Sequence, residues 1–391
     1  MVAATLGAGP GATQLSPPVI AGTPRSPATC STSVIDFGAV GDGMADDGAA
    51  LRRALAWAAS VHGSTGGATP RLHVPPGTYR YAQSPNFAVS NLHLDCSPGT
   101  VFRHSDEGPA FLLDGGSIGD GVYRVQVTGN PMIGGNAATS YGLDVRALHH
   151  SLITASVRDV AAAALRTRWS VCTEYGVRVT GLAIGGMQPS PIDGFVLDAR
   201  GEGEDTAACL FRMPIAEQAR DVGIRLVHTI NCTFLSGTAE GNGQGGLLVE
   251  RGASDNLFLG MDLEVNGTFG VRCEGDRNSF VNLYDDGIAV FAGTANRVQG
   301  SQFNTIHNRG DGNSFEAVSY ASTAAGRFHD TGRNTRRTLI RNLTSGILDR
   351  DLLCAQGPPI IAPAGGVVQD IEARRTLAAI LQQLRTAGVL S

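Results

Sequence analysis

The chain is expected to fold as an all-β solenoid of stacked parallel coils, and three observations predict it. Asn-x-Phe recurs at Asn231, Asn256, Asn278 and Asn313, with a weaker Asn-x-Val at Asn296, in successive steps of 25, 22, 18 and 17 residues. A second landmark keeps a similar period: Glu240-Gly-Asn242 returns as Glu264-Val-Asn266, and Gly246-Leu247 as Gly270-Val271, each 24 residues on. Repeats of this size with short alternating strands are the mark of a solenoid, in which each unit buries its apolar face only against its neighbours. Composition agrees. With aromatics at 6% the core must be built from aliphatic residues, and 52 glycines without a collagen period serve turns.

The elements follow in order. Residues 1–33 are rich in Gly, Pro, Ser and Thr and lack the basic start and firm apolar run of a signal peptide, so they are read as an arm for attachment or assembly. Next, Asp46 or Asp47 supplies an N-cap, and Leu51, Ala54, Leu55 and Ala58 form an i, i+3, i+4, i+7 stripe, which predicts a helix over 46–60. Gly63 to Gly67 ends it. In RLHVPPGTYRY, Leu72 and Val74 alternate as in a strand and Pro75-Pro76-Gly77 turns the chain.

These stretches, DFGAVGDGMADD with its following Ala-Leu and then VPPGTY, resemble the opening of the pectate-lyase-like superfamily, the right-handed parallel β-helix proteins. The resemblance covers residues 34–81. It implies a right-handed parallel β-helix whose N-terminal end is capped by the helix, with Asp42, Asp46 and Asp47 as structural caps. That superfamily contains polysaccharide lyases, glycoside hydrolases and bacteriophage tailspikes, so the likeness implies a fold and leaves the activity open.

Within the solenoid, taken as residues 34–340, Asn at a fixed place on each coil should stack as an amide ladder, with Phe two residues later stacked inside. Val271 and Cys273 should point inward and Arg272 and Glu274 outward. About a dozen coils over 72–340 would make a rod about 55–60 Å long at about 4.8 Å per coil. His149-His150 falls in an alternating strand, which turns one ring inward as a core histidine. Residues 341–391 break the pattern. Pro358-Pro359 and Pro363-Ala-Gly-Gly366 form a linker, and a helix from Asp370 to near Gly388 carries an apolar stripe of Leu377, Ile380, Leu381 and Leu384 that needs a surface to cover it.

Several classes of function are excluded. All 30 basic residues are arginine, so there is no lysine base or Schiff base. A net charge of -5 without a basic block argues against nucleic acid as a partner. Seven cysteines without a CxxC pair predict buried free thiols, with no metal site, disulfide framework or cofactor. Asn231-Cys-Thr and Asn266-Gly-Thr fit the glycosylation pattern by chance. No apolar run reaches the roughly 18 residues of a membrane span.

The candidate site centres on LYDDG, residues 283–287. Counted from the Asn-x-Phe landmarks, Glu240, Glu264 and Asp285 with Asp286 fall at nearly one place on three successive coils, expected on an exposed face at a corner. Two carboxyl groups at that separation suit glycoside hydrolysis, one protonating the leaving oxygen and the other serving as base or nucleophile. Stacked carboxylates also force one of them to keep a proton or share a cation. Tyr284 is placed to stack on a sugar ring. Arg272, His307 and Arg309 are further candidates for substrate binding, with His307-Asn308-Arg309-Gly310-Asp311 expected in a turn. Arg272 and Arg277 are alternatively available to neutralise the column. The polygalacturonase branch of the superfamily also uses a Gly-His-Gly and an Arg-x-Lys, both absent here. The catalytic arginine of the pectate lyase branch has no firm counterpart, which favours a hydrolase over a lyase.

The resulting reading is a tailspike- or tail-fibre-like virion protein, located in the tail. It would bind and depolymerise host cell-surface polysaccharide, assemble as a homotrimer and join other tail proteins through its arm. The alternative is a free, secreted polysaccharide-degrading enzyme of the same fold class.

Overall fold

Short strands pair in parallel with their counterparts one coil before and one coil after, and this stacking makes the molecule a parallel β-helix. The computed structural model describes residues 30–64, 68–117, 120–179, 191–199, 203–321, 328–344 and 348–349. Most of the arm and all of the proposed C-terminal linker and helix lie outside the described residues. Ser31–Ser33, the end of the arm, already pairs in parallel with Arg71–His73 and begins the solenoid.

Each coil has three sides. One is a continuous sheet that stacks twelve strands deep from Arg71–Val74 to Arg336–Thr338, in agreement with the dozen coils expected. A second side forms a 13-stranded sheet. The third begins as a regular sheet, in which Thr78, Val101, Met132, Ser156 and Arg178 stack in register. In the middle coils it narrows to a short side of single bridges that link Arg178, Ile215, Thr238, Asp262, Tyr284 and Gln302 in succession, and it widens again into a small sheet after Gln302.

The single α-helix among the described residues, α1, spans Gly48–Ser64 rather than 46–60. Its apolar stripe of Leu51, Ala54, Leu55 and Ala58 is buried in the same core as Leu72 and Val74. The capping work is divided among three aspartates. Asp46 belongs to the preceding strand, and its Oδ1 accepts the Gly48 N–H at 2.9 Å. The Asp47 carbonyl accepts the first helical N–H, from Leu51, while its buried carboxylate accepts the N–H groups of Val40 and Gly41. Asp42 accepts from Met44 and Ala45. All three are structural caps, as the resemblance implied.

The amide ladder forms with one shift of register. The backbone N–H of Asn256 donates to Asn278 Oδ1, that of Asn278 to Asn296 Oδ1 and that of Asn296 to Asn313 Oδ1, at 2.8–3.0 Å. Asn231 is not a rung. It sits exposed at the corner with φ 56°, and Cys232 occupies the rung, its N–H donating to Asn256 Oδ1. One coil earlier, Cys232 Sγ accepts the Cys209 N–H, so the ladder is continued by thiols. Behind it Tyr175, Phe211, Phe234, Phe258 and Phe280 stack with centroids 4.5–5.1 Å apart. Parallel in-register stacking sets each residue on its counterpart about 4.8 Å away, so like meets like by geometry. Of the free thiols among the described residues, Cys96, Cys209, Cys232 and Cys273 are buried as expected, whereas Cys172 is exposed and Cys30 half-buried, against the expectation.

Left-handed backbone marks the corners. Asn231, Asp255, Arg277 and Ala295 stack as one column of positive φ, and Met213, Ser236, Gly260, Asn282, Gly300, Ala317 and Leu339 as another. Gly, Asn, Asp and Ser tolerate this conformation, and stacking on neighbouring coils holds Arg277, Met213 and Leu339 in it at the same place.

Candidate active site on the short side

The bridges Ile215–Thr238–Asp262–Tyr284 set the register of the short side. Two residues beyond each lie Glu217, Glu240, Glu264 and Asp286, so one column carries four carboxylates on four successive coils. Glu240, Glu264 and Asp286 are brought together as the repeat predicted. Glu217 was missed because its coil has Cys209 where the Asn-x-Phe landmark would stand. Thr238 Oγ1 donates to Glu217 at 2.9 Å.

Asp286 and Asp285 part ways. Asp286 is exposed, and its Oδ1 accepts the Val265 N–H at 3.0 Å. Asp285 does not join the exposed face; it is 1% exposed and turned inward. The cause is a shortening of the coil. The ladder step falls from 22 to 18 residues at this point. Asp262 stands nine residues before its coil's second-side residue Val271, but Tyr284 only five before the matching Ala289. The four lost residues are the corner and its following turn, and Asp285 fills the space they vacate. The loop 264–268 therefore projects as a ledge.

Val265 sits on that ledge with φ 55° and 66% exposure, where the preceding coil has Gly241 with φ 64°. A β-branched residue in this region is strained, by about 1–3 kcal/mol, and such strain gathers at functional sites.

The column is electrostatically loaded. Partial burial, then the charges of Glu217, Asp262, Glu264 and Asp286, raise the Glu240 pKa above the usual carboxylate range. Burial and Asp286 raise Asp262, whose Oδ1 is buried without a partner. Tyr284 is 39% exposed; burial and then the charges of Glu264, Asp286 and Asp262 raise its phenol. A carboxyl with a raised pKa stacked among further carboxyl groups is the arrangement that acid–base chemistry draws on. No group of three or more His, Cys, Asp or Glu side chains among the described residues is arranged to hold a metal ion.

The basic candidates lie elsewhere. Arg272 projects from the second side, as predicted, and pairs with Glu274 beside a depression of about 380 Å³ that also includes His228 and Glu250. Arg277 pairs with Asp255. Neither neutralises the column. His307 lies in the strand Thr305–Asn308 rather than in a turn, its ring 4.8 Å from that of His329; burial, His329 and Arg309 lower its pKa. Arg309 is exposed at the end of that strand. His149 is buried between Tyr123 and Trp169, but its Nε2 has no partner, so it is not the satisfied core histidine expected.

A second polar cluster gave no sequence signal. Asp144, fully buried, takes two hydrogen bonds from Arg166 and one from Arg146, with Arg168 at 3.5 Å. Burial opposes its ionisation, yet Arg166 and Arg146 outweigh that and hold its pKa low. Stacking of the Asp144 strand on the Arg166 strand is what brings these charges together.

No known family and no curated protein matches the chain. Solved structures do. ORF18 of Geobacillus virus E2 aligns with a TM-score of 0.49 at 14% identity, over 80% of this chain and 61% of that one. PfbA, a surface adhesin of Streptococcus pneumoniae, aligns at 0.48 and 13% identity, over 80% and 93%. The tailspike gp49 of the Acinetobacter baumannii bacteriophage Fri1, a capsular polysaccharide depolymerase, aligns at 0.47 and 10% identity, over 80% and 58%. The likeness is one of fold. The chain spans about three fifths of the length of the two viral proteins, and identities this low carry no activity across.

Proposed function

We propose that the chain is a tailspike-like protein that binds host surface polysaccharide along its short side and hydrolyses it there. The observation that supports this is the column Glu217–Glu240–Glu264–Asp286, with Tyr284 beside it and a strained, exposed Val265 at its edge. Glu240, whose pKa is raised by partial burial and then by its acidic neighbours, serves as general acid. Asp286 or Glu264 serves as base or nucleophile. Adjacent coils lie about 4.8 Å apart, near the separation of retaining glycosidases, and coils two apart reach about 10 Å, at the upper end of the inverting range. Tyr284 offers its ring face to a sugar. Asp285 is too deeply buried to touch a substrate and has no catalytic part in this scheme. Arg272, His307 and Arg309, on another side, fit a remote stretch of a long polymer.

On this reading the protein belongs to a virion tail, with its N-terminal arm joined to other tail proteins and three copies associated side by side. Light scattering should then return three times the chain mass of 40.5 kDa; a monodisperse monomer with an intact C-terminus would refute the trimer. The catalytic claim is tested by reducing-end release from host capsular polysaccharide. Glu240→Gln and Asp286→Asn should each lower the rate by about two to four orders of magnitude while binding persists. Cleavage should also fall as pH rises through the raised Glu240 pKa, because the acid must hold its proton. Unchanged cleavage in both variants would remove the column from the chemistry.

A further inference from the structure

Asp285 stands where the two preceding coils carry asparagine. Asn242 lies over Gly223 and Asn266 over Gly246, with Nδ2 atoms 2.6 and 2.8 Å from where a glycine Cβ would be. These amides donate to the carbonyls of Ala216 and Ala239 at 3.2 and 2.8 Å, and Asn242 also donates to Asn266 Oδ1 at 3.0 Å. This inner ladder is separate from the Asn256–Asn313 ladder. One coil on, the Asp285 carboxyl lies over Gly270, which has no side chain to exclude it. The bridge register makes Leu263 the counterpart of Ala216 and Ala239. Asp285 Oδ1 accepts the Gly287 N–H at 2.7 Å, but Oδ2 is buried and has no partner. A carboxylate oxygen can only accept; an amide nitrogen or a protonated oxygen in that place can donate to the carbonyl.

We propose that Asp285 is a neutral carboxylic acid acting as the last rung of the inner asparagine ladder, with its Oδ2–H donating to the Leu263 carbonyl, and that its ionisation loosens the corner holding Tyr284 and Asp286. The ladder carries this inference, so a protein that cuts no polysaccharide still tests it. The ionisable surroundings favour the proton. Asp286 shares the corner, Asp262 and Glu264 lie on the coil before, and Glu240 lies on the coil before that. The coil after presents the neutral Gln302 beside Tyr284, and Arg272 is turned outward to Glu274. Burial, reinforced by Asp286, pushes the Asp285 pKa up to about 7, although the backbone N–H groups of Gly287 and Val271 pull the other way.

The sign of the pH effect follows. For an acid whose folded pKa lies above its ordinary value of 3.8, the full stability is present below that value. Stability is lost as pH rises toward about 7 and is level above it. Thermal unfolding of the full chain from pH 4 to 9 tests this in wild type, Asp285→Asn and Asp285→Ala. Asn keeps the donor at every pH, so its Tm should match wild type near pH 4, rise above it through pH 7 and stay above. Ala should unfold earlier than Asn throughout. Infrared difference spectra of wild type against Asp285→Asn should show a protonated carboxyl band at pH 6 that disappears as pH rises past 7. Parallel Tm curves for wild type and Asp285→Asn would overturn the proposal. So would an Asn variant that fails to fold, or a band that is absent at pH 6.

Discussion

The coils before Asp285 and those after it share one ladder and differ in one corner. From Cys232 to Asn313 the buried amide rungs continue without a break while the coil shrinks from 24 to 17 residues. At the step to the 18-residue coil, the whole loss falls between the short side and the second side, where the corner at Gly241 and Val265 has no counterpart. A solenoid tolerates this because each coil needs to match only its immediate neighbours. The side with stacked phenylalanines cannot be shortened without exposing rings; the side with single bridges can. Removing a corner leaves a ledge, and the acidic column stands on it.

Substitutions on the two regions should separate them. The largest effect is expected on the constant side. Phe258→Ala removes one ring from a stack that is fully buried and should cost about 3–5 kcal/mol, read by denaturant unfolding. A loss below 1 kcal/mol would mean that the coils collapse onto the gap and that this side is no more rigid than the other. On the ledge the sign should reverse. Val265→Gly restores the residue type of the preceding coil at a positive φ and exposes no buried surface, so it should stabilise the fold by about 1 kcal/mol. If the strain serves catalysis, the same variant should cleave polysaccharide more slowly. The smallest effect is expected at a solvated corner. The Arg277–Asp255 pair is well exposed on the arginine side, and Arg277→Gln should leave the unfolding midpoint nearly unchanged, with added salt erasing what difference there is. A larger loss would show that corner charges, and not the ladder, hold register.

The column was legible from the repeat alone, because Glu240 and Glu264 keep their distance from a landmark that also recurs. Glu217 was hidden where cysteine replaced asparagine, since a thiol filling an amide place gives no pattern to count. The one-residue error at Asn231 has the same origin: the visible Asn is the exposed corner residue, and the rung beside it is Cys232. The Asp144 cluster was illegible because two of its three arginines, Arg166 and Arg168, come from the strand of the next coil, 22 and 24 residues on.

The sequence by itself determined the solenoid, its capping helix and the acidic column, since a period in the chain becomes a stack in space whenever strands pair in register. The tertiary structure alone decided which of two adjacent aspartates faces water. Asp285 and Asp286 are chemically identical and differ by one position. Their fates depend on a four-residue shortening that opens a space over Gly270, and that space exists only when the preceding coil is in place. Asp285 fills it and is desolvated; Asp286, one residue on, reaches outward at the surface to the Val265 amide.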